Sequence, residues 1–467
     1  MFRNVVVLGI GLTVLAAGAV RAEWTRFRGP NGSGVAAGST ELPVEWSPEK
    51  NIKWKIALPG PGSSCPIIVG DKVFVTAWSG YGVDRDNPGE MADLKRHLIC
   101  LDRETGSVRW DKSVKAVLPE DRYSGMFAEH GYASHTPVSD GERVYAFFGK
   151  SGVYAYDLEG NELWNRSVGE GLDQRQWGSA ASPILHKDLL IVTAAAESRT
   201  MYGLNKLTGE EVWKQAADGF NSTWGTPVLV PVDEERTDLV IGVPGEIWGL
   251  NPENGKLVWY CEAMQGNSFC SSVVAGEGVV YAIEGMGGGS IAVRAGGKGD
   301  VSSTHVVWQG RDNNRISTPV LVDGRLYFFS RRIANCVDAE TDQRVFQSRL
   351  ASSGGTAAPA EQAGAPQGRR GGQGGGPGGG GRGRGGFGGG GGPGGGQDYA
   401  SPIAVGGKIY FQARDGECFV ITAGPNFEQL ATNRLTSDAE DFSATPAVDG
   451  DSLFIRSSRH LYRIAVD

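Results

Sequence analysis

Between residues 136 and 164 apolar and polar positions alternate in short runs, each closed by a Gly, Asp or Asn turn. Thr136, Pro137 and Val138 open the first run. Asp140-Gly141 turns into 143–148, residues 149–152 turn again into 152–156, and the polar stretch 157–161 leads into 162–166, which carries Trp164. Period-two alternation between such turns predicts an antiparallel meander of four strands with one buried face. A single meander cannot cover that face, so its stability requires stacked copies.

The copies are present. The opening Ser/Thr-Pro recurs at Thr136-Pro137, Ser182-Pro183, Thr226-Pro227, Thr318-Pro319, Ser401-Pro402 and Thr445-Pro446, with Cys65-Pro66 and Ser271-Ser272 as degenerate forms. The closing element is an Asp or Asn turn followed by Trp: Asp102 with Gly106 and Trp110, Asp157 with Trp164, Asn205 with Gly209 and Trp213, Asn251 with Gly255 and Trp259. Trp308 continues the series, and Asp338 with Phe346 is a weakened copy. From Pro137 to Pro319 the openings fall 46, 44, 45 and 47 residues apart, and Pro402 to Pro446 is 44. That period, with four strands per unit, is that of a β-propeller blade. The 71 residues from Pro66 to Pro137 give the first blade insertions, and the 83 from Pro319 to Pro402 hold one blade plus a low-complexity tract. The last copy stops after its third strand, while residues 51–58, with Trp54, form an orphan strand before the first. The chain is therefore expected to be all-β: an eight-bladed β-propeller of four-stranded antiparallel blades spanning 51–467, its ring closed by strand 51–58 pairing with the C-terminal blade. Closure limits exposed sheet edges.

Composition adds boundaries. Residues 1–22 read as a signal peptide: Arg3 precedes an apolar run at 5–20, with small-x-small cleavage positions at 17–19 and 20–22. Residues 23–50 read as an arm. Its Trp24, Phe27 and Arg28, followed by the turn-forming Pro30-Asn31-Gly32, are costly to leave loose, so it docks on the propeller, covering a groove or acting as a lid over the central site. The net charge of −8 argues against a polyanion binder, and no nucleic-acid partner is expected. Residues 353–397 are nearly pure Gly with Pro, Gln, Arg369, Arg370, Arg382 and Arg384, and read as a disordered insertion. No later segment is long and apolar enough to span a membrane. The six cysteines form no CxxC pair. Cys100 and Cys336 occupy a small-core position, and Cys261 with Cys270 is the one plausible local disulfide. The acids and amide of the 78–97 insertion (Asp84, Asp86, Asn87, Glu90, Asp93) have calcium-like oxygen density but not EF-hand spacing, and read as a polar loop with no metal.

In a propeller the segment before each first strand reaches the mouth of the central channel. Here these segments supply Glu129, His130 and Tyr132, then Trp177, Trp224, Asn267, Phe269, Arg315, Asp398, Tyr399 and Asp441. Aromatics with a few convergent polar groups suit a small-molecule or peptide site. No metalloprotease, nucleophile-elbow or phosphate-loop motif is present.

The Asp-x-x-Thr-Gly-x-x-x-Trp core at 102–110, with its relatives at 205–213 and 251–259, resembles the pyrroloquinoline-quinone (PQQ) repeat. That family includes eight-bladed quinoprotein alcohol dehydrogenases and the non-catalytic, BamB-like propeller of outer-membrane assembly. The opening from Trp24 to Gly32 is similar to that of exported PQQ-like propellers. The resemblance implies that each repeat Trp docks neighbouring blades. Catalytic members carry an adjacent Cys-Cys pair, a Glu/Asn calcium set and an Asp base. No two cysteines are neighbours here, and BamB-like proteins carry a lipid-anchor Cys that is also missing. The expectation is a periplasmic or secreted monomer, a non-catalytic scaffold binding a protein, peptide or carbohydrate in the cell envelope, without cofactor. The alternative is a PQQ- and calcium-dependent alcohol or sugar dehydrogenase, with Arg315, Asp398, Asp441 and Trp177 at the cofactor.

Overall fold

The structure, a computed structural model, describes residues 24–36, 41–284, 288–314, 316–353 and 397–466. The expected signal peptide, residues 354–396 of the Gly-rich tract and Arg315 lie outside the described residues. Each repeat folds as its turns dictate. Blade 2 is Val138–Ser139, Arg143–Phe147, Val153–Asp157 and Glu162–Arg166 in meander order. Among the described residues there are eight such sheets. We number them 1 (67–115), 2 (138–166), 3 (184–216), 4 (228–262), 5 (274–310), 6 (320–349), 7 (403–434) and 8 (447–464). In blade 8 the fourth strand is Ile52–Ala57, antiparallel to His460–Ile464. Blade 4 departs from four strands, because Gly299–Asp300 joins its outer edge in parallel.

The expectation of one buried face per blade is corrected. In blade 2 Val144 to Phe147 are all buried, and alternation survives only on the outer strand, where Trp164 is buried between exposed neighbours. Each blade is sandwiched between two others, so its inner strands lose water on both faces. The cores accordingly join neighbouring blades: Phe74 and Leu98 of blade 1 pack with Val144 and Phe148 of blade 2, and Tyr145 and Trp164 of blade 2 with Leu190 and Val192 of blade 3.

The repeat motif locks these interfaces. The Asp or Asn carboxyl or amide oxygen caps its own turn. Asp102 Oδ1 accepts the N–H groups of Glu104 and Thr105 at 3.0 and 2.8 Å. The motif glycine then takes a left-handed conformation, and the indole of the preceding blade lies directly against it. A Cβ on Gly209 (φ +73°) would sit 2.5 Å from Trp164. The indole N–H donates to the carbonyl just after the turn Asp or Asn: Trp54 to Arg103, Trp110 to Leu158, Trp164 to Lys206, Trp213 to Pro252 and Trp308 to Ala339, at 2.8–3.2 Å. Trp259 is relayed through Asp238, which also accepts the Gly296 N–H. The residue opposite the aromatic is small, which explains Cys100 facing Trp110 and Cys336 facing Phe346. In blade 7 the aromatic position is Ala431. There Trp46, from the segment before the ring, stacks on Tyr410 with ring centroids 6.4 Å apart. Its backbone N–H donates to Asn433 Oδ1 at 3.0 Å.

Residues 24–36 cross the channel. The carbonyls of Trp24 and Thr25 accept the N–H groups of Ile68 and Ser139, Asn31 pairs with both backbone groups of Leu229, and Gly34 and Ala36 bond Ala404. These partners all lie three residues beyond the Ser/Thr or Cys that opens their blade, roughly 10 Å along a strand. Of the two docking modes, the lid is not what is seen: the arm closes the far end of the channel and leaves the mouth open.

Candidate functional site

The Ser/Thr of each blade opening has a structural task. Its hydroxyl oxygen accepts the backbone N–H at the same position of the preceding blade. Cys65 N–H donates to Thr136, Thr136 to Ser182, Ser182 to Thr226, Thr226 to Ser272, Ser272 to Thr318, Thr318 to Ser401 and Ser401 to Thr445, all at 2.9–3.0 Å. The proline that follows, replaced in blade 5 by Val273, has no N–H to satisfy. Thr445 closes the circle on the Cys65 thiol, whose pKa is raised by burial, with Thr136 and Thr445 opposing.

This ring floors a cavity of about 140 Å³ whose walls include Met126, His130, Trp177, Trp224, Ile316 and Tyr399, with Phe27 of the arm below. Of the residues expected at the mouth, His130, Trp177, Trp224 and Tyr399 line it. Trp177 and Trp224 lie 5.2 Å apart, and Trp224 Nε1 donates to the Gly178 carbonyl at 2.7 Å. Arg175 covers Trp177 at 5.4 Å and donates to Ser222 Oγ and the Asn267 carbonyl.

Others are placed differently. Tyr132 is buried against Trp78 and Phe127 and donates to the Asp121 carbonyl at 2.6 Å, because the 121–134 segment folds back into its own small core. Phe269 is buried between blades 4 and 5, held off the channel by the close approach of Gly242. Asn267 is exposed. Glu129, Asp398 and Asp441 converge instead on Arg414. Its guanidinium bonds Glu129 and Asp441 and lies 5.1 Å over Tyr399, and its backbone N–H donates to Asp398 at 3.0 Å. Burial works against the charge, but Asp441 and Glu129 hold Arg414 above its ordinary pKa. Desolvation pushes Asp398 up. Arg85 reaches Glu129 at 3.6 Å. Arg414 was missed by reasoning from the strand openings. It sits in the turn between the second and third strands of blade 7, and in a meander that turn also returns to the mouth.

His130 is oriented by hydrogen bonds at both nitrogens. Its Nε2 meets the Trp177 carbonyl at 2.6 Å, which only accepts, so Nε2 carries the hydrogen. Nδ1 then accepts from Ser134 Oγ at 2.6 Å, and burial lowers the imidazole's pKa. Asp84 caps its own exposed turn through the N–H groups of Asp86 and Asn87. Among the described residues no three Asp, Glu, His or Cys side chains converge as a metal set. A calcium ion takes about six to eight oxygens, carboxylates among them. Among the described residues the cavity lining offers hydroxyls, aromatic faces, one imidazole and two thiols, and no carboxylate. No disulfide links Cys261 to Cys270: Cys261 is buried in the blade 4–5 core, while Cys270 lines the cavity.

A second polar cluster spans blades 1 to 3. Arg96 pairs with Glu120 at 2.7 Å, and Ser179 Oγ joins His135 Nε2 to Glu197 at 3.1 and 2.5 Å. Burial lifts Glu197 to about 7 and lowers His135 to about 3.

The family model described as "Outer membrane protein assembly factor BamB" matches residues 90–195 and 190–363. No curated protein matches the chain by sequence. Among solved structures, BamB from Moraxella catarrhalis aligns at 12% identity over 88% of this chain and 99% of that one, with a TM-score of 0.53. Quinohemoprotein alcohol dehydrogenase from Comamonas testosteroni aligns at 11% identity over 95% and 80%, with a TM-score of 0.56. The computationally designed Ika8 protein aligns at 12% identity over 88% and 98%, with a TM-score of 0.51. A designed protein matching as well as natural ones shows that this likeness is one of fold alone.

Proposed function

Because the chain belongs to the family described as outer membrane protein assembly factor BamB, we propose that it is an exported, non-catalytic propeller that binds a polypeptide partner in the cell envelope through the channel mouth. The observation that carries this reading is the chemistry of the cavity. Trp177, Trp224 and Tyr399 offer apolar and amphipathic surface, which anchors peptide side chains well. Arg175 and the Arg414 cluster supply a polar rim. Export is supported by the charged and apolar character of residues 1–22. The dehydrogenase alternative draws on fold likeness alone.

Thermal unfolding of the mature protein with and without PQQ and calcium tests the reading. A ligand that binds only the folded state adds about 2.7 kcal/mol at a hundredfold excess over Kd. The scaffold reading predicts no shift at saturating cofactor. A saturable rise, abolished by Asp398→Ala, would replace it with the dehydrogenase reading.

A further inference from the structure

The centre of the ring holds hydrogens and charge that the protein itself uses only in part. Each of the seven hydroxyls that accept a neighbouring N–H keeps its own hydrogen; those of Thr136 and Thr445 meet the Cys65 thiol, and among the described residues the other five O–H groups have no carbonyl or carboxylate acceptor. The seven face a common axis because they occupy one position in successive blades.

Just beyond them lie two arm arginines. Arg28 is wholly buried and Arg26 is 8% exposed. Arg28 Nη2 donates to the carbonyls of Pro319 at 2.7 Å and Pro402 at 3.4 Å, and Arg26 Nη2 to that of Pro227 at 3.3 Å. Those prolines directly follow Thr318, Ser401 and Thr226, so both guanidiniums sit one residue below the hydroxyls. Arg26 Nε and Arg28 Nε and Nη1 are buried without partners. On the ring's blade 8–blade 1 side the wholly buried Arg456 bonds Ser64 and the Thr76 carbonyl, leaving Nε and Nη2 without partners. Burial lowers Arg28 and Arg456 to about 9 and Arg26 to about 10, and the Cys65 thiol is the ionisable group that bears on the first two. Carbonyl dipoles satisfy hydrogen bonds but leave the net charge, and buried charge is costly without a counter-charge.

We propose that the floor of the channel binds a compact monovalent anion, a halide or a single carboxylate group, held by the ring hydroxyls and neutralised by Arg28 and Arg26. Among the described residues the cavity lining supplies donors in excess and no carboxylate, the buried Glu284 being turned to the Cys270 N–H at 3.1 Å, a composition that suits an anion better than a cation. The site does not depend on the partner reading and is tested with no partner present.

The experiment is urea unfolding of the mature protein in chloride or acetate, with sodium isethionate, a bulkier sulfonate without a carboxylate, holding ionic strength constant. The expected result is a saturable rise in midpoint, with the unfolding constant falling about a hundredfold at a hundredfold excess over Kd. A response to acetate alone assigns the carboxylate, and a response to chloride the halide. Arg28→Gln should abolish the dependence. Should that variant not fold, Cys65→Ser keeps the ring bond to Thr445 and adds an eighth O–H, so it should tighten apparent affinity several-fold. In crystals soaked in bromide, anomalous density on the channel axis is expected. Superimposable curves in all three salts for wild type and Cys65→Ser, with no bromide density, would overturn the proposal and leave water in the channel.

Discussion

The pairing of Trp164 with Gly209 sets the terms at the level of single residues. Removing the indole leaves a cavity between two blades and strands the Lys206 carbonyl, so Trp164→Ala should cost about 3–5 kcal/mol in urea unfolding. Gly209→Ala should destabilise by about 1–3 kcal/mol through overpacking, since its Cβ meets the ring face at a left-handed φ. Glu197 gives a pH signature. Its folded carboxyl titrates at about 7 against an ordinary 4.5. Between those values the folded state holds the extra proton, so the contribution of Glu197 falls as pH rises through the window, by on the order of 3 kcal/mol, while His135, lowered to about 3 by burial, contributes with the opposite sign up to about pH 6.5. Asp121, lifted to about 6 by burial and by Asp173, adds in the same direction as Glu197. Glu197→Gln should remove that falling contribution, leaving stability to rise more steeply between pH 4.5 and 6.5 than in the wild type, and should stabilise the protein at pH 8. The Trp–Gly pairs were legible because they repeat at a fixed interval. Arg414 was not, because its partner Glu129 lies across the closed ring, and no local pattern links a blade 7 turn to the segment before blade 2. Tyr132 and Phe269 misled for a related reason: an aromatic in a mouth segment can turn outward into a core as readily as inward to the channel.

At the scale of elements, the strands were readable to within a residue or two. In blade 2 the expected 143–148 and 162–166 are observed as Arg143–Phe147 and Glu162–Arg166. Which faces they bury was not readable, since that depends on a neighbour on each side. The arm was recognisable as a docking element from its Trp, Phe and Arg, but its place at the far end follows from pairing with the inner strands. The segment at 41–50 has a task that its sequence does not announce: it supplies the aromatic that blade 7 lacks at Ala431. Trp46→Ala should therefore destabilise by about 3 kcal/mol or more. Adding an aromatic at Ala431 should not rescue it, because Trp46 also positions Asn433, whose side chain bonds the backbone of Trp46 and Val44. Denaturant midpoints of the single and double variants check both statements.

For the whole molecule, the period and the two chain ends were enough to read an eight-fold ring, and the ring dictates the site. Eight openings bring one position from each blade to a common axis, so a repeated Ser/Thr-Pro becomes a circle of hydrogen bonds and the mouth becomes a single cavity. The arm closes one end and leaves the other open. The sequence could not disclose that the ring's hydroxyls bond to one another's backbone, since the bond joins residues a full repeat apart. The most direct test places a photo-crosslinking side chain at Met126, in the cavity wall, or at Asn31, on the arm. Each full-length protein is then irradiated in its own cell envelope. A discrete polypeptide adduct from position 126, absent from position 31 and lost with Trp177→Ala, is the predicted result. Adducts of equal yield from both positions, or none from 126 while the protein is folded and exported, would contradict the mouth as the binding face.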